Sequence, residues 1–245
     1  MASNFTKLNN KFASKKDWQE RVMQLYLPNN NPDKIIATFV NPFSYPILQN
    51  EPELCQAFDM IFSDGSLHTK LHNLFCKNKI DRVSFDLSSI AKDTLLRAQE
   101  QQLKVALIGG KPEHADALPT KLLSLFPNLV ISYCRDGYFH SEAEKQCCFT
   151  ELENSTPDII IVGMGTPLQE KFLLQCVERV ESAREFYTCG GFLEQTATKG
   201  DYYHPLVKKL GLRWLQRAIM HKHVRERLIR DYPRFIFKYS LSHFK

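Results

Sequence analysis

No part of this 245-residue chain reaches the roughly 18 consecutive apolar residues that a membrane-spanning helix needs. Its seven cysteines are odd in number and contain no C-x-x-C pair. Cys147 and Cys148 are adjacent, which suits neither a disulfide framework nor zinc chelation, so reduced thiols in a reducing compartment are expected. The opening stretch MASNFTKLNNKFASKKDW is too polar to hold the apolar core of a signal peptide, and a cytoplasmic location is the expectation. Internal repeats and low-complexity tracts are missing. So is a G-x-G-x-x-G fingerprint: "GMGTPL" ends on Leu168, and "GGKPEH" fails as well. There is no G-x-x-x-x-G-K-[ST] either, which excludes a P-loop enzyme.

What the chain does have is an ordinary globular balance, 43% apolar and 24% charged, in which short apolar runs alternate with helical patterns. The candidate strands are residues 34–40, 58–63, 104–109, 129–134, 158–163 and 185–190. Helical stretches lie near 85–101, 113–126, 141–154 and 167–182; in the last, Leu168, Phe172, Cys176 and Val180 form one apolar stripe. Strands without polar alternation, separated by helices, argue for an α/β fold with a buried, mostly parallel sheet and helices on both faces. The expected organisation is an N-terminal helix (an amphipathic piece at Trp18–Leu27) and linker over 1–33, a core over 34–205, and an appendage over 206–245.

Ligands of open α/β sheets bind beyond the carboxyl ends of the strands. The expected strand ends carry Thr38 to Asn41, "SDG" (63–65), "GGKP" (109–112), "RDGYF" (135–139), "GMGTPLQE" (163–170) and "CGG" (189–191). Gly and Asp-Gly are also ordinary turn formers, but six such segments on one edge suggest a site. Gly109-Gly110 and Gly163-Met164-Gly165 precede helices, and a helix N-terminus behind a glycine turn suits the phosphate or ribose of a nucleotide. Asp64 can serve as a general base toward a sugar hydroxyl; Asp136 repeats the Asp-Gly pattern, and the sequence does not choose between them. Asp-x-Asp, the pair by which many nucleotide-sugar transferases hold a divalent metal on a diphosphate, is absent. The charge of the tail offers a substitute. From Leu206 onward there are 11 Lys and Arg against two acids, so the tail holds more positive charge than the net +5 of the whole chain. Such a tail meets an anion: a phosphate ligand, an anionic membrane surface or nucleic acid, for which no motif is present. Arg213 and Arg217 lie one turn apart, as Arg227 and Arg230 nearly do, and Trp214, Leu215, Ile219, Leu228, Ile229 and Phe235 to Phe237 are interleaved with these cations.

The blocks "SDGSLHTKLHNLFCKNKIDRVSFDLS", "VALIGGKP", "FPNLVISYCRDGYF", "PDIIIVGMGTPLQEKF" and "LGLRWLQR", with the basic tail, resemble the WecG/TagA/CpsF glycosyltransferases from about Lys34 to Phe235. The resemblance implies a Rossmann-like α/β core with a C-terminal helical appendage, peripheral on the inner face of a bacterial cell membrane. It implies an inverting enzyme with no metal and no cofactor, moving a sugar from a UDP donor to a polyprenyl-diphosphate-linked sugar in surface polysaccharide synthesis. Asp64 matches the family's proposed base; Thr38, Asn41, Arg82 and Gln169 match further residues of its catalytic pocket. Gly109, Gly110, Asp136, Gly137, Tyr138, Gly163, Gly165, Glu170, Gly190 and Gly191 fall on the UDP-binding edge, where Glu170 either contacts the ligand or caps its helix. Arg217, Arg227 and Arg230 match the appendage arginines that close over the diphosphate.

The chain also departs from the family pattern. Phe85 replaces a glycine, Arg213 a glutamate and Glu194 an aspartate; His221-Lys222-His223 replaces Glu-Pro-Arg, and Tyr203-His204-Pro205 replaces Arg-Ala-Pro. Thr38 and Asn41 stand one residue further apart than in the pattern. These departures touch the donor pocket and the appendage. An N-acetylmannosamine-type sugar or glucose is the expected cargo, and a homo-oligomer stays open. Two other readings of the residues are a nucleotide-dependent oxidoreductase and a non-catalytic adaptor on the membrane surface.

Overall fold

The computed structural model describes residues 8–9, 11–27, 34–199, 219 and 222–243. The linker expected before residue 34 and the first part of the appendage fall mostly outside the described residues. Six strands, β1 (Ile35–Val40), β2 (Met60–Ser63), β3 (Lys104–Gly109), β4 (Val130–Arg135), β5 (Ile159–Gly163) and β6 (Glu185–Thr188), form one parallel sheet in the order β2-β1-β6-β5-β3-β4. Around it lie α1 (Lys15–Leu25), α2 (Ser44–Gln49), α3 (Pro52–Gln56), α4 (Ser66–Phe75), α5 (Ile90–Glu100), α6 (Pro112–Ala115), α7 (Ala117–Leu125), α8 (Glu142–Ser155), α9 (Leu168–Arg179), α10 (Phe192–Lys199) and α11 (Lys222–His243). No helix among the described residues is long and apolar enough to cross a membrane.

Alternation along each strand feeds two cores. Ile35, Ala37 and Phe39 of β1, Val105 and Leu107 of β3, and Ile159 and Ile161 of β5 pack against α1, α5, α7 and α10. Val40, Ala106, Ile108, Ile160, Val162 and Phe186 pack against α2, α3, α8, α9 and α11 on the opposite face. Because both faces are covered, both sets must be apolar, which is why the strands read as unbroken hydrophobic runs. The result is the Rossmann-like α/β architecture that the alternation of strands and helices implies. β3 and β5 are neighbours, but the chain leaves β3 toward β4 at one edge and leaves β5 toward β6 in the opposite direction. That divergence opens a crevice at their carboxyl ends.

Two expected helices differ from the sequence reading. α5 starts at Ile90, not near 85, because Asp86 holds the preceding segment in a turn: Oδ1 accepts from the Ser88 backbone N–H at 2.7 Å, and Oδ2 accepts from Ser84 Oγ at 2.8 Å. The stretch expected at 113–126 is divided at Asp116 into α6 and α7.

The amino ends of the strands are held by a buried polar cluster. Glu185, with no exposed surface, accepts from Tyr26 Oη, Tyr187 Oη and an Arg97 guanidinium nitrogen, each at 2.6 Å. Trp18 Nε1 donates to Tyr187 Oη at 2.8 Å, which ties α1 to β6. Ser14 and Asp17 form a reciprocal capping box at the start of α1. Removing one member of a buried ion pair strands the other, at a cost of roughly 3–5 kcal/mol. Glu185→Leu is therefore expected to lower the urea midpoint by that order of free energy, and Glu185→Leu with Arg97→Leu to recover part of the loss.

Candidate active site

Six parallel strands deliver all six expected segments to one edge. Asp64-Gly65 follows β2, Asn41 follows β1, Gly190-Gly191 follows β6, Gly163 to Gly165 ends β5, Gly109-Gly110 ends β3 and Asp136 to Tyr138 follows β4. β2 and β4 are the two outer strands, so Asp64 and Asp136 stand on the order of 24 Å apart at about 4.8 Å per strand spacing. They cannot work on the same bond.

Asp64 is fixed from two sides. Its backbone N–H donates to Val40 O at 2.7 Å, and its Oδ1 lies 3.2 Å from Arg82 Nη2. Arg82 is brought there because the segment after α4 runs beside β2: Ser63 bridges Arg82 in parallel, and Val83 N–H donates to Ser63 O at 2.9 Å. Ser84 Oγ and Asp86 Oδ2 lie near the same nitrogen, at 3.3 and 3.6 Å. Asn41 uses its side-chain oxygen to accept from the Phe43 and Ser44 backbone N–H groups at the start of α2, and its NH₂ group has no hydrogen-bond partner among the described residues. Asp136 Oδ1 accepts from the Tyr138 N–H at 2.7 Å, while Arg135 braces this turn through Tyr138 O and Glu144 and stacks on Phe139. Tyr138 stands exposed on the rim.

Thr38, Gln169 and Glu170 meet beneath the edge, and all three are buried. Glu170 Oε1 accepts from Thr38 Oγ1 at 3.0 Å, Thr166 Oγ1 at 3.1 Å and Gln169 Nε2 at 2.9 Å. Thr38 also bonds Thr188 Oγ1 at 2.8 Å, and Gln169 Oε1 accepts from the Gly190 N–H at 3.1 Å. One network thus joins the ends of β1 and β6 to the turn after β5. Burial raises the Glu170 carboxyl above its ordinary range, with hydrogen bonds from Gln169, Thr38 and Thr166 pulling the other way. α9 begins after Pro167, whose ring offers no side-chain cap, and the Glu170 carboxyl also meets its own backbone N–H in the first turn.

The glycines divide into two kinds. A Cβ on Gly109 would stand 2.4 Å from Gly163 O, one on Gly163 2.7 Å from Gly190 O, and one on Gly137 2.9 Å from Met164 Cγ. These three let the strand ends pack against one another. Gly165 (φ +79°) and Gly190 (φ +55°) instead have open space where a side chain would go, and they are where a ligand can approach the backbone.

Of the expected tail arginines, Arg217 lies outside the described residues, as does the side chain of Arg227. Arg230, exposed on α11, pairs with the adjacent Asp231 at 3.0 Å. What α11 does contribute is a clasp on α4, the helix that follows Asp64. Phe235 and Tyr239 pack on His68, and Tyr239 Oη lies 3.2 Å from His72 Nδ1. His68 Nδ1 reaches Ser63 Oγ at 2.7 Å, one residue before Asp64. The sequence reading missed both histidines; their four-residue spacing on an amphipathic helix was the available signal.

Burial, and then the neighbouring His72, hold the His68 pKa down to about 3 from 6.5. The unfolded chain binds this proton near pH 6.5 and the fold refuses it, so stability is complete above that pH and is lost as pH falls toward 3. The expected slope is about 1.4 kcal/mol per pH unit from this group. Denaturant titrations between pH 6.5 and about 5.5 should show a shallower slope in His68→Gln than in the wild type.

The WecG/TagA/CpsF glycosyl transferase family pattern matches residues 12–245. The chain is also 39% identical, over 204 residues, to a Shigella boydii protein named UDP-Gal:alpha-D-GlcNAc-diphosphoundecaprenol beta-1,4-galactosyltransferase, with 83% of this chain and 85% of that one covered. With a parallel sheet whose carboxyl edge carries the family's blocks, the chain belongs to the WecG/TagA/CpsF family of glycosyltransferases.

Proposed function

We propose that the enzyme transfers a hexose from a UDP donor to a polyprenyl-diphosphate-linked GlcNAc by a single in-line displacement. The observation that carries this reading is Asp64, a carboxylate on an outer strand end, braced by Arg82 and half exposed at the edge where the family's blocks converge. Asp64 takes the proton of the acceptor hydroxyl as that oxygen forms its bond to the anomeric carbon. The bond from that carbon to the diphosphate oxygen breaks, and UDP leaves from the opposite side. UDP-hexoses carry the diphosphate on the α face, so the β linkage in the relative's name supports inversion. That name also puts galactose beside N-acetylmannosamine-type sugars and glucose as the donor to test first.

The donor lies along the edge, with its sugar toward Asp64, its diphosphate over Gly165 and Gly190, and its base toward Tyr138. Backbone N–H groups and the arm's arginines, Arg217, Arg227 and Arg230, meet the charge that grows on the diphosphate, with no divalent metal assigned to it. The arm also docks on the anionic membrane that carries the acceptor. Ile229 (73% exposed), Phe237 (67%) and Leu241 on α11 support this, because the same helix carries Arg225, Arg234 and Lys238. The family assignment replaces the oxidoreductase reading.

Two measurements test the proposal. With EDTA present, one member of a UDP-sugar panel and a short-chain polyprenyl-diphosphate-GlcNAc should release UDP, and Asp64→Asn should lower that rate by roughly 10² to 10⁴ while still binding UDP. Full activity in Asp64→Asn would remove the base assignment, and activity only with added metal would remove the arginine assignment. In sedimentation with anionic vesicles, Phe237→Ser combined with Ile229→Ser should shift the protein from pellet to supernatant. Unchanged pelleting would detach the membrane role from this face.

A further inference from the structure

Glu170 has no exposed surface, and its two oxygens are treated unequally. Oε1 accepts from Thr38, Thr166 and Gln169, whereas Oε2 is buried without a hydrogen-bond partner among the described residues. No Lys, Arg or His forms an ion pair with it among those residues. The groups facing it are hydroxyls, an amide and its own backbone N–H: Thr38 on β1, Thr188 beyond it on β6, and Thr166 and Gln169 from the turn and α9. The titratable neighbour, Cys55 on α3, has its thiol pushed up to about 11, first by burial, and is neutral. Lys171, next along α9, turns away to Glu51. A buried anionic oxygen with no cation beside it among the described residues costs far more than a buried neutral hydroxyl. The geometry favours the neutral acid, with Oε2 as the oxygen left to carry the proton.

Its position gives that proton a consequence. Thr166 and Gln169 carry the hub to Gly165 and Gly190, the two glycines with open space above them, where the donor reading puts the diphosphate. An ionised Glu170 would set a negative charge under a dianionic ligand. We propose that Glu170 is a positioning residue that works as a neutral hydrogen-bond hub, and that donor binding locks its proton in place. The inference rests on the donor reading above. It makes donor affinity and protonation reciprocal: donor raises the affinity of Glu170 for its proton, and ionisation of Glu170 weakens donor binding by the same factor.

The test is calorimetry of UDP-hexose binding to the full chain between pH 5 and 9, in paired buffers of different ionisation enthalpy. The diphosphate diester does not titrate there, so proton uptake reports the protein. Wild type should take up a fraction of a proton, peaking at one pH, and Glu170→Gln, which keeps an acceptor at Oε1 and carries no charge, should take up none at that peak. Donor affinity in wild type should fall on the alkaline side, about tenfold per pH unit at most, and Glu170→Gln should lose that fall. As a measurement independent of the variant's fold, donor binding to wild type should increase the infrared band of protonated carboxyl groups. Equal proton uptake in wild type and Glu170→Gln, or an unchanged carboxyl band across the whole pH range, would overturn the proposal. Failure of wild type to bind any UDP-hexose would overturn the donor reading and this inference with it.

Discussion

The site depends on six strands running the same way, because a parallel sheet puts every carboxyl end on one edge. Residues as far apart as Asn41 and Gly190 become neighbours without any long loop. The cost of such a sheet is that both faces need cover. Helices supply it, and the two cores on either side of Ile159 to Val162 are what make the edge rigid. Within that frame the Glu170 carboxyl does the local work. One oxygen gathers hydroxyls from β1 and from the turn after β5, and Gln169 passes the linkage to the backbone of Gly190. One hydrogen-bond network therefore joins three strand ends.

Asp64 sits at the other kind of place, at the carboxyl end of an outer strand. Two separate devices hold it. Arg82 reaches it from a segment running beside β2, and Ser63 ties it through His68 to the C-terminal helix. The basic helix α11 packs on the helix that follows Asp64, which couples its position to that of Asp64. Exposed apolar residues on α11 face outward while Phe235 and Tyr239 face the core, so one helix carries both contacts.

The strands were legible because burial on both faces leaves no polar alternation to confuse the reading, and all six runs fall within a few residues of β1 to β6. Their common edge was legible too, from turn residues alone. Short helices were not: α2 and α3 lack the length for a clear period, and Asp86 delays α5 through a side-chain turn that composition does not reveal. Glu170 was the hardest residue to read. A carboxylate in a first helical turn ordinarily faces the free N–H groups or water. Here it turns inward because Thr38, 132 positions earlier, meets it across the sheet. Gly163 shows the same limit. From sequence its missing side chain suits a ligand, but the space is used by Gly190 O, and the open glycines are Gly165 and Gly190.

On the proposed reading the donor lies along the carboxyl edge, from the Asp64 side toward Tyr138. A crystal structure with bound UDP tests this most directly. The account predicts the diphosphate against Gly165 and Gly190 and the base on the Tyr138 side. UDP bound at the amino end of the strands, near Glu185, or on the outer face of α11, would contradict it.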